Sequence, residues 1–281
     1  MIRYLILAVV TFCLSVTTFA TPVPPATLNS EGFYWLDKGN ATTALEKFRK
    51  AEAAYQQAGH SEGMIGTKAN QIIALRRLGR LEEACELAAQ TFTSTCWATV
   101  LPSIPSSPSP AQAALLQGFV ETLTDQKRFD RAIELFEQVP AFLNSASALF
   151  SGGNIYLEVA KSQQNLDASS RALESGRRYL ADALARANES HDKTLQLFAQ
   201  ASLLNLAGLE QQQFKQATQI PSISIDALQE LAVPDQERVA LLLAEGWGNL
   251  DDPQAKQVLP RAIASQNPAI KSRALLQQFS I

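Results

Sequence analysis

A set of small and aromatic residues that recurs at a fixed interval restricts the fold of this sequence more than any other feature. Gly39 is followed by Ala44 and Phe48, and Gly79 and Ala84 repeat the glycine and the alanine 40 residues later. Recurrence over such a distance indicates that one structural unit is stacked in successive copies. The sequence therefore predicts a repeat architecture.

A third copy is recognised by Ala132 and Phe136, and in it Lys127 stands where the first two copies have glycine. The interval from Ala84 to Ala132 is 48 residues instead of 40, so extra residues lie between the second and third copies. Residues 101–110 account for them, because four prolines alternate there with serines. Proline at that density prevents a helix, and this segment is predicted to be a surface loop.

The spacing within each copy predicts two antiparallel helices. Ala44, Phe48 and Ala51 are four and three residues apart, which places them on one face of a helix. Gly32 lies on the preceding helix, and Gly39 ends that helix at a tight turn. Small residues allow two helix backbones to approach each other, and aromatic rings fill the remaining space.

Six residues of the first copy carry a resemblance to a known family: Gly32, Trp35, Gly39, Ala44, Phe48 and Ala51. In this order they resemble the tetratricopeptide repeat (TPR). Residues 28–140 look like an array of such repeats with long units of about 40 residues, similar to bacterial exported TPR proteins. The resemblance implies an α-solenoid, in which stacked helix pairs leave a concave groove that binds a partner protein.

In such arrays the first helix of each pair lines the groove, and the resemblance assigns six partner-binding residues to it: Asn29, Phe33, Asp37, Asn70, Arg76 and Arg77. The expected occupant is an extended or helical protein segment. Two interpretations of the cluster Arg76, Arg77 and Arg80 are open. One is contact with an anion or a carboxylate on the inner face of the array, and the other is a solvated helix end, where positive charge is favourable without a partner. The clamp that some family members use for a peptide carboxylate is not expected, because only Asn70 matches it.

Residues 141–281 are predicted to continue the helical repeats in degenerate form and to end in a cap. A helix is expected from residue 141 to 161 with a soft spot at Gly152 and Gly153, and a long amphipathic helix from residue 167 to 188. Shorter helices broken by prolines follow. No segment of useful length alternates as a β-strand does, so the predicted fold class is all-α.

The first 20 residues are predicted to be a signal peptide that directs export to the periplasm or the exterior. Residues 4–16 are apolar, and small residues precede a cleavage site after Ala20. An uncleaved anchor is the alternative, but this apolar run is shorter than the ~20 residues that a spanning helix needs. A lipoprotein modified at Cys13 is a third interpretation. A proline-rich linker is expected at residues 21–27.

Cleavage of the signal leaves two cysteines, Cys85 and Cys96. They are interpreted either as a disulfide that ties a helix to the following loop, which an oxidising compartment permits, or as two separate buried thiols. With only two histidines in the chain they do not form a zinc site. His60 and His191 both lie at predicted turns, where an exposed capping role is expected.

Charge and motifs indicate a binding protein without catalytic activity. The net charge is −3, with both signs interspersed, which does not favour binding to nucleic acid or to anionic lipid. No phosphate-binding glycine loop, nucleophile motif or cofactor motif is recognised. The predicted function is a scaffold that binds a protein partner in the cell envelope. The alternatives are a hydrolase with an unrecognised site in the C-terminal half and a soluble carrier of a metal ion or ligand.

Overall fold

The computed structural model describes residues 23–98, 104–105, 107–215 and 222–278. Within these ranges the chain forms twelve α-helices and two short 3-10 helices, and no strand is present. The all-α prediction is confirmed for the part of the chain described. The predicted signal peptide at residues 1–20 lies outside it.

The α-helices follow one another with short connections along most of the chain. Their bounds are α1 Pro25–Asp37, α2 Ala41–Gln57, α3 Ser61–Arg77, α4 Leu81–Thr91, α5 Pro110–Asp125, α6 Phe129–Glu137, α7 Ala146–Ser162, α8 Leu166–Glu189, α9 Lys193–Phe214, α10 Val233–Asn249, α11 Gln254–Ile263 and α12 Pro268–Gln278. The 3-10 helices are Pro140–Asn144 and Ile225–Glu230.

Successive helices pack against each other in pairs, and alternate helices also touch. α1 packs on α2, α2 on α3 and α3 on α4, while α3 also contacts α5, α5 contacts α7 and α7 contacts α9. The first helices of neighbouring pairs therefore lie side by side from α3 onwards. This arrangement resembles a helical repeat.

The three predicted helix pairs share one type of turn, which the described part of the chain also has at Gly59, His191 and Asp251. Gly39, Gly79 and Lys127 all have a positive φ, at +76°, +72° and +60°. The next residue in each turn donates its N–H to a carbonyl five residues earlier at 2.9 Å: Asn40 to Trp35, Arg80 to Leu75 and Arg128 to Leu123. This is the hydrogen-bond pattern that ends a helix at a left-handed residue. Lys127 therefore takes the place in the third turn that glycine takes in the first two.

The small residues are buried where the helices meet. Ala44, Ala84 and Ala132 each follow their turn by five residues, and each is 0% exposed. Gly32 on α1 lies against the ring of Phe48 on α2, so closely that a Cβ atom on Gly32 would lie 2.3 Å from the ring. The absence of a side chain at Gly32 is what allows α1 and α2 to approach.

The predicted soft spot in α7 is wrong. Gly152 and Gly153 lie inside this helix and are buried. A Cβ atom on Gly152 would lie 2.5 Å from the ring of Phe136, and one on Gly153 would lie 2.5 Å from Leu180. The two glycines thus admit side chains of α6 and α8, and packing on both sides outweighs the low helix propensity of glycine.

Three predicted boundaries also differ from the structure. The helix predicted from residue 141 begins at Ala146, because Pro140–Asn144 forms a 3-10 helix before it. Proline is the reason for the other two differences. α1 begins at Pro25 and not near residue 28, so the helix takes up part of the predicted linker at 21–27. α5 begins at Pro110, which was assigned to the loop at 101–110. Proline fits the first position of a helix, because the N–H that it lacks has no partner there.

The C-terminal helices return to the N-terminal ones. α10 contacts α1, and the side chain of Pro234 at the start of α10 lies beside Gly39. Pro268 at the start of α12 lies beside Gly79. The last helices therefore rest against the turns of the first two helix pairs.

Substitution Gly32→Ala is expected to destabilise the protein by about 1–3 kcal/mol, because the added methyl group overlaps a ring that is buried and cannot move aside. Gly66→Ala in α3 is the matched control: its nearest neighbour is Ala111 at 3.9 Å, an ordinary contact. The control is expected to gain about 0.5–1 kcal/mol of helix propensity. Urea unfolding measures both values, and equal stability of the two variants would contradict the packing described.

Candidate functional site

The residues assigned to the groove lie on α1 and α3, and four of them are engaged in contacts within the chain. Asn70 Nδ2 donates a hydrogen bond of 2.8 Å to Asn29 Oδ1, which joins α3 to α1. Both side chains are partly buried. The structure therefore brings these two predicted residues together as a pair.

Arg76 turns towards α5. Its guanidinium pairs with Glu121 and with Asp125, where Nε lies 2.8 Å from Oδ2. Burial alone lowers the pKa of Arg76, but the charges of Asp125 and Glu121 outweigh it and raise the pKa above its usual value. Arg76 thus fixes α3 against α5.

Arg77 turns in the opposite direction, towards α1 and α10. Its Nη1 donates to the carbonyl oxygen of Leu36 at 3.0 Å, and its Nη2 lies 3.5 Å from Asp235 Oδ1. Burial lowers the pKa of Arg77 from its usual value, although Asp235 and Asp37 act in the other direction. The guanidinium therefore has only a long contact with its nearest carboxylate.

The interpretation of this cluster as a solvated helix end is wrong for two of its three arginines. The side chains of Arg76 and Arg77 are only 16% and 21% exposed, because neighbouring helices cover them. Arg80 does lie at the surface, where it pairs with Glu83 one turn later.

The remaining two predicted residues face solvent. Phe33 is 40% exposed, and its ring meets the edge of Phe48 with 5.3 Å between centroids. Asp37 is exposed in the last turn of α1. An aromatic ring and a carboxylate are thus open beside the Asn29–Asn70 pair.

Glu121 extends the polar contacts from α5 to α7. It accepts hydrogen bonds from Gln117 Nε2 at 3.0 Å and from Ser151 Oγ at 2.5 Å. Burial raises the pKa of Glu121, but Arg76 and these two donors outweigh it, and the pKa lies below its usual value. Side chains of α3, α5 and α7 are therefore joined by one continuous network.

A second network was not recognised in the sequence. Glu245 on α10 is 9% exposed and lies 2.7 Å from Lys161 Nζ on α7 and 2.6 Å from Arg273 Nη2 on α12. Asn205 Nδ2 on α9 donates to it at 2.7 Å. Four helices meet at this carboxylate. The available signal was a single carboxylate in the apolar run from residue 239 to 248, since a charge buried in such a run needs partners.

Within the described ranges, no group of three or more histidine, cysteine, aspartate or glutamate side chains is placed to hold a metal ion. His60 caps α3, where Nδ1 accepts from the N–H of Gly63 at 2.9 Å, which is the predicted capping role. No helix in the described part of the chain combines the length and apolarity needed to cross a membrane.

A disulfide joins α4 to the segment that follows it. Cys85 and Cys96 are bonded in the structure, with 5.3 Å between their Cα atoms, and they are 0% and 2% exposed. Arg128 of the next helix pair supports the bond, because its Nη1 donates to the carbonyl oxygen of Cys96 at 2.7 Å. Of the two interpretations of these cysteines, the structure has the bonded one.

Glu245→Gln is expected to destabilise the protein by about 3–5 kcal/mol at pH 7, because Lys161 and Arg273 keep buried charges without their carboxylate. Burial raises the pKa of Glu245, but these two cations outweigh it and hold the pKa at about 2, below 4.5. A lowered pKa stabilises the fold above pH ~4.5, and this contribution, about 3 kcal/mol, is lost as pH falls towards ~2.

The difference in unfolding free energy between the wild type and Glu245→Gln should therefore shrink on acidification. Urea unfolding near pH 7 and near pH 3 measures it. Glu46→Gln, at an exposed position of α2, controls for the loss of one negative charge. A difference that is the same at both pH values would contradict the paired state of Glu245.

Replacing both Cys85 and Cys96 by alanine is expected to lower the unfolding free energy by about 3 kcal/mol. The disulfide closes a loop with a sequence separation of 11, and its loss restores entropy to the unfolded chain. Denaturation with and without a thiol reductant measures the effect. The reductant should destabilise the wild type and leave the double variant unchanged, and the absence of any effect on the wild type would show that the bond does not form.

No protein-family model matches the chain, and a search of curated proteins found no significant match. The interpretation of the site therefore depends on the contacts described above. Two observations bear on it most directly: the equivalent turns of the three predicted helix pairs, and the exposure of Phe33 and Asp37 on α1.

Proposed function

We propose that the chain is an exported α-solenoid of tetratricopeptide type that binds a protein segment on the inner face of α1 and α3. One observation carries this proposal: Ala44, Ala84 and Ala132 occupy the same buried position after three turns of the same geometry. A stack of equivalent helix pairs presents an extended face, and recognition of other proteins is the usual use of such a face.

The proposed contact region is centred on Phe33. An exposed aromatic ring gives a large apolar area to a partner, and aromatic residues are common where binding energy is concentrated. The Asn29–Asn70 pair beside it offers amide groups for hydrogen bonds to a backbone. Arg77 lies behind this region and positions it, because its guanidinium donates to the carbonyl oxygen of Leu36 on α1 and faces Asp235 on α10.

The ion-pair networks support this role by holding the face in one arrangement. Arg76 and Glu121 connect α3 to α5, and Glu245 connects four later helices. A surface that is already ordered loses little conformational entropy when a partner binds. The networks themselves need no ligand, because their charges are paired within the chain.

The disulfide supports the proposed location outside the cytoplasm. Bonds between cysteines persist in the periplasm and in the extracellular space, whereas cytosolic thiols are kept reduced. The Cys85–Cys96 bond thus agrees with the export predicted from residues 1–20, and the proposed setting is the cell envelope or the exterior.

Pull-down from an envelope extract tests the proposed function. Phe33→Ala, Asn70→Ala and Arg77→Ala are each expected to weaken capture of the same partner about tenfold. The first change removes the exposed ring, and the other two remove the contacts of α3 with α1 and α10 that keep the face ordered. Glu46→Ala and Lys50→Ala on the exposed side of α2 are the controls and should leave capture unchanged. Circular dichroism verifies that all variants are folded.

Capture that is equally strong for all five variants would place the binding surface elsewhere on the molecule. Capture lost equally in the two control variants would also contradict the proposal, because α2 lies outside the proposed contact region. Detection of a partner alone does not support the proposal. The proposal is supported only if capture is weaker for the variants of α1 and α3 than for the two control variants of α2.

A further inference from the structure

Trp97 is an exposed aromatic residue in a segment that the structure holds firmly. Its side chain is 63% exposed, the highest value among the exposed aromatic residues of the described ranges. The segment lies between α4 and α5 in the chain. An exposed tryptophan leaves a large apolar area in water and contributes little to the core.

Contacts on both sides restrain Trp97. The disulfide fixes the preceding residue, Cys96, and Arg128 Nη1 donates to the carbonyl oxygen of Cys96 at 2.7 Å. Arg131 Nη2 donates to the carbonyl oxygen of Ala98 at 3.0 Å. The guanidinium of Arg128 also lies 4.7 Å from the centre of the Trp97 ring, so that it covers one face of the indole. A ring restrained in this way is already ordered for binding.

A groove lies beside this segment, at the start of α6 and the end of α7. Its volume is about 380 Å³, and its lining includes Lys127, Arg128, Arg131 and Asp130 together with the apolar side chains of Phe129 and Val159. The lining therefore carries more positive than negative charge. Lys127 and Arg128 form no ion pair with any residue in the described part of the chain.

Lys127 occupies a position that favours glycine. Its φ is +60°, and the equivalent turns of the first two helix pairs have Gly39 and Gly79. A side chain in the left-handed region costs free energy that glycine avoids. The lysine therefore weakens the turn and places a cation at the edge of the groove.

We propose that Trp97, Lys127, Arg128 and the adjoining groove form a second docking surface, which binds an acidic protein segment. Charge complementarity identifies the partner: two cations without an ion pair attract carboxylates. The open face of Trp97 and the side chains of Phe129 and Val159 receive apolar residues of the same segment. The residues that form it differ from those of the contact region on α1 and α3.

The test uses the full-length mature protein and a short fluorescein-labelled peptide in which glutamate alternates with leucine. Fluorescence anisotropy should detect binding of this peptide that weakens as salt is added. The same peptide with lysine in place of glutamate should bind at least about tenfold more weakly. Trp97→Ala is expected to reduce binding of the acidic peptide about tenfold, and the exposed position of Trp97 means that the fold is retained.

Lys127→Gly and Lys215→Gly form a matched pair, because Lys215 ends α9 with a φ of +55° and lies outside the groove. Each change replaces a lysine that has a positive φ by glycine, which adopts this conformation without strain. Both variants are therefore expected to have a slightly higher melting temperature than the wild type. Only Lys127→Gly should weaken binding of the acidic peptide, by about threefold to tenfold. Glu46→Ala, at an exposed position of α2, should leave this binding unchanged.

Several results would overturn the proposal. These are undetectable binding of the acidic peptide, equal binding of the acidic and basic peptides, and equal effects of Lys127→Gly and Lys215→Gly. Iodide quenching of tryptophan fluorescence gives an independent readout. The part of the tryptophan fluorescence that is lost in Trp97→Ala comes from the Trp97 ring. If iodide does not quench this part in the free protein, the chain itself covers the ring, and the ring is not a docking surface.

Discussion

The fold depends on how closely neighbouring helices approach at a few glycines. At Gly32 the ring of Phe48 occupies the space where a side chain would be, and the ring of Phe136 does the same at Gly152. Such contacts fix the distance between helices and also their rotation, because the ring must face the glycine. The buried alanines, the turns and the orientation of the inner faces all follow from that distance. The candidate site is thus a consequence of packing that takes place behind it.

This packing depends on the spacing of residues within and between neighbouring helices, and for that reason the sequence predicted it well. Intervals of three and four residues place side chains on one helix face. The interval of 40 residues identified the turn at Gly79, and the longer interval of 48 residues identified the one at Lys127. The boundaries at Pro25 and Pro110 were less accurate, since proline both begins helices and interrupts them. Gly152 and Gly153 were misjudged because their packing partners, Phe136 and Leu180, belong to other helices.

The charged contacts were mostly beyond prediction, because they join residues that are distant in the sequence. Arg77 and Asp235 are 158 residues apart, and Arg273 and Glu158 are 115 apart. No local sequence pattern indicates such a pairing. An arginine at a helix end cannot be recognised from the sequence as solvated or as covered by another helix. The six groove residues were chosen by position alone. Four of them hold neighbouring elements of the same chain, which leaves Phe33 and Asp37 as the open part of that face.

The return of α10 and α12 to the turns at Gly39 and Gly79 changes how the molecule is expected to fold. In an open array each pair depends only on its neighbours, and the two ends melt independently. Here residues near both ends of the described chain share contacts, so an opening at one end removes support from the other. Cooperativity therefore extends across most of the molecule. It also follows that the first helix pairs do not reach their final environment during synthesis until the last helices have emerged.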